Sequence, residues 1–221
     1  MPRPDLRYLF VVTYGRSGST LLMGVLNTLP GYLIRGESRD ALHHLFLFHR
    51  TGASTRRQMV RRYGRERLAE PTHPFFGAAG FPTVRALDWC RQLALDTLLR
   101  PQEDTRVTGF KEIRWYQPDL EEYVAWLREV FPGARFLVNT RDHAAVLTSK
   151  WWAKDGDKSE YLATIERRLL DLADSLGESA YHVHYDDYVA NPAALRGLFA
   201  WLGEEFDEDA VRATLAVRHS V

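Results

Sequence analysis

Six consecutive residues, Gly15, Arg16, Ser17, Gly18, Ser19 and Thr20, lie between the apolar runs "YLFVV" and "LLMGVL". A β-like run that turns through small residues straight into a helix aims backbone N–H groups and the positive end of the helix dipole at one point. That point suits a phosphate or a sulfate. Glycine lets the backbone approach closely, the three hydroxyls are donors, and Arg16 adds a fixed charge. A capped helix start with no ligand draws on the same residue types.

The design recurs in "FLVNTRDHAAVLTSKWW" (136–152), an apolar strand, a polar turn and a helix. Arg141 sits at the strand end and Ser149 about two helical turns further on, so both can face a ligand lying across the strand tips. A guanidinium donates two parallel hydrogen bonds, which matches phosphate oxygens. The plainer reading pairs Arg141 with Asp142 on the surface.

These segments need a frame. Strands are predicted at 8–13, 32–34, 106–110, 134–140 and 180–185. Helices are predicted at 18–28, 40–50, 55–69, 86–99, 119–130, 143–154, 159–176, 192–202 and 207–216. Such alternation predicts an α/β chain, one domain over residues 1–221, with a central mostly parallel sheet flanked by helices. Ligands in these sheets bind beyond the carboxyl ends of the strands. The stretch "EPTHPFFGAAGFPT" (70–83) reads as an irregular insertion near an active site, or as a crossover whose phenylalanines pack on the sheet.

The chain has 29 basic and 29 acidic side chains, so an anion site must be local, and nucleic-acid binding by bulk charge is not expected. Cys90, the single cysteine, leaves no intrachain disulfide and no cysteine-based zinc cluster. His182 and His184 share a strand face, with no third metal ligand at a suitable spacing. The N-terminal apolar stretch is too short for a signal peptide and no stretch approaches a membrane span, so a cytoplasmic location is expected. "STRRQMVRRYGRERL" (54–68) carries Arg57, Arg61 and Arg65 on one helical stripe, with Arg56, Arg62 and Arg67 nearby. It reads as a solvated face or as a seat for an anionic acceptor or carrier.

The nucleotide-triphosphate loop GxxxxGK[ST] does not fit, because Thr13 stands at its first glycine and Ser19 at its lysine. "YGRSGSTLL" instead resembles the 5′-phosphosulfate loop of sulfotransferases that use 3′-phosphoadenosine-5′-phosphosulfate (PAPS), in the [YP]xRSG[ST][ST]LL form of the carbohydrate, tyrosylprotein and bacterial branches. Arg141, followed eight residues later by Ser149, resembles that family's 3′-phosphate motif RDPxxxxxS[RW], with His143 in place of proline. "VHYDDYVANPAALRGLFAWLGEEFD" (183–207) is similar to the family's late strand, YE[DN]Lxx[DN]P turn and helix. The resemblance runs from about residue 8 to about 216. It implies a P-loop-like sulfotransferase fold, PAPS as co-substrate, adenosine 3′,5′-bisphosphate (PAP) as product, and no metal requirement. The RKGxxG loop of the cytosolic branch is absent, and Arg218, His219 and Ser220 read either as the start of a nucleotide-contacting tail or as a fraying end.

Sulfuryl transfer between two oxygens needs cations beside the donor bridge and a base for the acceptor hydroxyl. Arg16 and Lys111 are the cation candidates. Lys111, in "TGFKEIRW", follows a predicted strand and resembles the sulfate-side lysine of the tyrosylprotein and bacterial branches. Its plainer reading is a pair with Glu112. Lys150, Lys154 and Lys158 belong to a region that looks exposed. Glu37 in "LIRGESRDALHH" resembles the tyrosylprotein branch's RxGE glutamate, Arg35, Gly36 and Glu37 giving a shortened version of that motif, and is the candidate base, with His43 and His44 in reserve. It also reads as a carboxylate complementing a helix dipole. The acceptor expected is a small molecule or glycan with a hydroxyl or, second, an amine. A P-loop nucleotide kinase or triphosphatase, and a catalytically idle nucleotide-binding domain, are the competing readings.

Overall fold

Strand β1 (Arg7–Val12) is apolar on both faces, as the central strand of a covered sheet must be: Tyr8, Phe10 and Val12 turn one way, Leu9 and Val11 the other. The computed structural model describes residues 5–149, 152 and 158–216. In it, β2 (Tyr32–Arg35), β3 (Val107–Glu112), β4 (Arg135–Thr140) and β5 (Ala180–His184) join β1 in the order β2-β3-β1-β4-β5, with every pairing parallel. All five predicted strands are present.

The helices are α1 (Ser19–Leu26), α2 (Ala41–Arg67), α3 (Thr83–Ala94), α4 (Leu120–Val130), α5 (His143–Leu147), α6 (Ser159–Leu176), α7 (Tyr185–Ala190), α8 (Arg196–Leu202) and α9 (Glu208–Leu215). Leu22, Val25 and Leu26 of α1 share a core with Tyr188, Leu198, Phe199 and Val211 on the Leu9/Val11 face. Phe46, Cys90, Leu127 and Leu169, from α2, α3, α4 and α6, pack on the Phe10 face. The chain leaves β1 for the β2 side and later crosses back to β4, so the two halves of the sheet part at the carboxyl end of β1. An open α/β sheet presents its ligand crevice at that point.

Three expectations change. The helices expected at 40–50 and 55–69 are one helix, α2, because Gly52 does not break it. A Cβ at Gly52 would lie 2.2 Å from the Phe81 ring, so this glycine admits a packed aromatic rather than a turn. The real break is at Gly64 (φ 77°, ψ 161°), and it takes Arg65 and Arg67 off the straight stripe. The phenylalanines of 70–83 do not pack on the sheet: Phe81 lies on α2, while Phe75 and Phe76 are exposed. Of the helix expected at 143–154, α5 is the described part. Lys150, Lys154, Arg218, His219 and Ser220 lie outside the described residues. Among the described residues no helix is long and apolar enough to cross a membrane.

Candidate active site

The loop after β1 is held from behind by its own carbonyls. Trp152 Nε1 donates to the Gly15 carbonyl at 2.9 Å, Arg141 Nη1 to that of Arg16 at 3.0 Å, and Asn139 Nδ2 to that of Ser17 at 3.0 Å. With its acceptors occupied, the loop offers donors. Among the described residues, nothing accepts from the backbone N–H groups of Arg16, Ser17, Gly18, Ser19 and Thr20. Arg16 (φ 69°) and Gly18 (φ 79°) both take left-handed backbone, which curls successive amides toward a common centre. Gly18 has a second constraint, since a Cβ there would meet the Tyr185 ring at 2.0 Å.

The side chains of this loop divide by role. Thr13 Oγ1 lies 2.7 Å from the Asn139 carbonyl and 2.6 Å from Ser17 Oγ, deep in the core. The carbonyl accepts only, so the Thr13 proton goes to it and Ser17 donates to Thr13. Ser17 therefore braces the loop with its hydroxyl and leaves only its N–H for a ligand. The Ser19 and Thr20 hydroxyls and the exposed Arg16 guanidinium have no protein partner among the described residues.

Arg141 leaves β4 directly beside this cradle. Its guanidinium carbon lies 4.4 Å from the centre of the Tyr185 ring, the same ring that closes on Gly18. Its backbone N–H donates to Tyr14 Oη at 2.9 Å, and Tyr14 in turn donates to Glu166. Burial, reinforced by the Glu166 hydrogen bond, pushes the Tyr14 hydroxyl well above its ordinary pKa, so it stays a donor. Two buried polar atoms here have no partner, Arg141 Nε and Ser149 Oγ. An orphaned buried donor costs about 1–3 kcal/mol unless a ligand satisfies it. The expected 3′-phosphate pair thus carries an unmet hydrogen-bonding demand next to a ring of unmet amides.

Lys111 is not beyond its strand but inside it, opposite Val11 of β1, and its side chain is only 5% exposed. It does not pair with Glu112. Its ammonium contacts Glu37 Oε1, two residues past the end of β2, leaving Glu37 Oε2 without a protein partner among the described residues. Glu112 is engaged elsewhere. Its Oε2 accepts from the N–H groups of Ser38 (3.1 Å) and Asp40 (3.4 Å), and its Oε1 from that of Ile113 (2.9 Å). It therefore clamps the turn that carries Glu37. The reserve histidines are placed elsewhere too. His43 Nε2 lies 2.9 Å from Asp119 Oδ1, among Phe46 and Tyr123, and Arg50 holds the other oxygen at 2.6 Å. Burial works to raise the Asp119 carboxyl, but the His43 hydrogen bond and the Arg50 guanidinium outweigh it and hold it below the ordinary aspartate range. His44 lines an apolar groove of about 310 Å³ with Leu45, Phe48, Leu93 and Leu98.

His182 Nε2 and His184 Nδ1 lie 2.8 and 2.9 Å from Thr140 Oγ1. No cluster of metal-ligating side chains occurs among the described residues. Sequence reasoning passes over Asn139, Trp152, Tyr185 and Glu166, and it gives Thr13 and Glu112 no supporting part in the site. Only Thr13 carries a signal, as the residue standing at the triphosphate loop's first glycine.

The parallel sheet thus brings a donor-lined loop after β1 beside Arg141 at the end of β4. The chain belongs to the sulfotransferase family, whose model matches residues 9–208. The sulfotransferase domain of the Synechococcus PCC 7002 olefin synthase has a similar fold, at TM-score 0.55 and 19% identity over 99% of this chain and 80% of that one. The sulfotransferase domain from the curacin biosynthetic pathway is similar at TM-score 0.50 and 14% identity over 92% and 76%. No curated protein sequence matches the chain.

Proposed function

We propose that this protein transfers a sulfuryl group from PAPS to a hydroxyl of a small-molecule or glycan acceptor. The observation that carries the reading is the meeting of two donor sets at Arg16. On one side stand the unaccepted amides of Arg16 to Thr20; on the other, Arg141 and Ser149 with orphaned buried atoms, and Arg141 itself bonds the Arg16 carbonyl. A ligand with two separated anionic ends satisfies both at once, and PAPS is such a ligand. When bound, it supplies the activated sulfuryl group.

The rest falls to this chain's own residues. The amides, the Ser19 and Thr20 hydroxyls and Arg16 hold the 5′ end and offset the charge that grows on its bridging oxygen. Arg141 and Ser149 hold the 3′-phosphate. Glu37 Oε2 takes the proton of the acceptor hydroxyl as that oxygen bonds to sulfur and the sulfur–bridge bond breaks. Lys111 fixes Glu37 through Oε1, and the Glu112 clamp holds the turn beneath it. The direct test is incubation with sulfur-labelled PAPS and a panel of alcohols, phenols and oligosaccharides. Label transferred to an acceptor without added metal supports the assignment; no transfer from PAPS, with γ-phosphate-labelled ATP in a parallel incubation phosphorylating the acceptors, would replace it with the kinase reading.

A further inference from the structure

Helix α3 runs back along α2 toward the end of β2. It starts beside His49, whose Nε2 lies 2.9 Å from the Thr83 carbonyl, and a further helical turn carries it to Leu99. There Arg35 holds it, donating from Nε to the Leu99 carbonyl (2.8 Å) and from Nη2 to the Arg100 carbonyl (3.0 Å). The apolar groove of about 310 Å³ lies between these two helical walls. Small-molecule sites begin at about that size.

Both walls are joined to the segment that bears Glu37. Ala41, which opens the α2 wall, is four residues after Glu37, and Arg35, which ties the opposite wall, is two before it. Four residues of chain span at most about 14 Å, so the near end of the groove is within one small molecule's length of Glu37.

The lining grades along that length. Ala41 and His44 belong to the first turn of α2, and Leu45 and Phe48 follow; on the other wall Thr97 stands at the Arg35 end and Leu93 further from it. The Thr97 hydroxyl is spent on the Leu93 carbonyl. Among the described residues no carboxylate, arginine or lysine lines the groove. Phe48 and Leu93 are 62% and 51% exposed, apolar surface that the described residues leave uncovered.

We infer that this groove is the acceptor subsite of the transferase proposed above, and that it takes the apolar tail of an uncharged alcohol whose hydroxyl lies at Glu37. The inference rests on that reading. The hydroxyl proton passes to Glu37 Oε2, the alcohol oxygen bonds to the sulfur of PAPS, the bond from sulfur to the bridging oxygen breaks, and PAP leaves with that electron pair. A ligand polar at one end and apolar at the other follows the same grading as the walls, from His44 to Phe48.

The test pairs binding with turnover. The uncharged apolar dye N-phenyl-1-naphthylamine, followed by fluorescence, should be displaced by alkan-1-ols from butanol to decanol in order of chain length. With sulfur-labelled PAPS, kcat/KM should rise about fourfold for each methylene that enters the groove. The double variant Phe48→Gln, Leu93→Gln should flatten that dependence and lower kcat/KM for decanol about tenfold or more. It should keep the circular-dichroism spectrum and PAP affinity of the parent protein, since both side chains are half exposed and neither touches the loop from Gly15 to Thr20. A kcat/KM independent of chain length, a decanol preference that the double variant leaves intact, or a sugar such as methyl glucoside used better than decanol would overturn the inference and leave sulfuryl transfer standing. No transfer from PAPS to any acceptor, with dye displacement still ordered by chain length and lost in the variant, would overturn the sulfuryl-transfer reading and the acceptor role with it.

Discussion

The Lys111 ammonium and the Glu37 carboxylate are in direct contact at the carboxyl ends of two neighbouring strands, the first almost wholly buried and the second 38% exposed. One oxygen of Glu37 is committed to the lysine and the other has no protein partner among the described residues, the arrangement that the proposed base requires. Removing the proton acceptor while keeping its shape isolates that role. Glu37→Gln should lower turnover about 10²–10⁴-fold while PAP affinity, measured by calorimetry, stays within error of the parent protein. Full activity in that variant would take Glu37 out of the chemistry. Lys111→Met should also lower turnover, and the double variant should lose less than the two single losses combined, because the pair acts as a unit.

On the proposed function, Arg141 carries the 3′ selectivity. Arg141→Ala should weaken PAP by about 2–3 kcal/mol, the range of a charge-assisted hydrogen bond, and leave adenosine 5′-phosphate nearly unaffected. Equal losses for both nucleotides would move Arg141 from ligand contact to loop support, where its bond to the Arg16 carbonyl would be the relevant one.

Gly18 and Arg141 both lie against the Tyr185 ring. A methyl group at Gly18 meets that ring at 2.0 Å, in a backbone conformation that itself costs a side-chain-bearing residue roughly 1–2 kcal/mol. Since Tyr185 carries Arg141, Gly18→Ala should weaken binding at both ends of the nucleotide. Titrations with PAP and with adenosine 5′-phosphate should both lose about tenfold or more. Loss confined to PAP would mean that only Arg141 has moved.

Much of this is legible in the sequence because it is local. Strand, glycine-rich turn and helix are contiguous from residue 8 to 28, and so are Arg141 and Ser149, so their grouping needs no tertiary knowledge. What escapes is what distant segments supply. Trp152, Asn139 and Glu166 act on the loop across more than 120 residues of chain, and nothing in their own neighbourhoods marks them. The partner of Lys111 is hidden for the same reason: Glu112 is next in sequence, but successive strand residues face opposite ways, and the neighbouring strand brings Glu37. The continuity of α2 through Gly52 is hidden likewise, since Phe81, the ring that rests against this glycine, is 29 residues further on.

Asp119 sets an acid limit on stability. Its carboxyl titrates below the ordinary aspartate range in the folded chain, so the folded state binds that proton less readily than the unfolded one. The stabilisation is complete above pH about 4 and is lost as pH falls through the lowered value. Asp119→Asn should therefore cost about 1–3 kcal/mol near neutral pH, and the gap from the parent protein should close as pH falls through the lowered Asp119 value. Urea melts at several pH values measure it, and a constant gap down to the acid limit would contradict the assignment.

Calorimetric titration with PAP, and in parallel with ATP, each with magnesium and with a chelator, tests the PAPS assignment most directly. The two donor sets meeting at Arg16 predict tight binding of PAP over ATP that magnesium does not alter. Preference for ATP, dependent on magnesium, would contradict it and make the loop from Gly15 to Thr20 a triphosphate site.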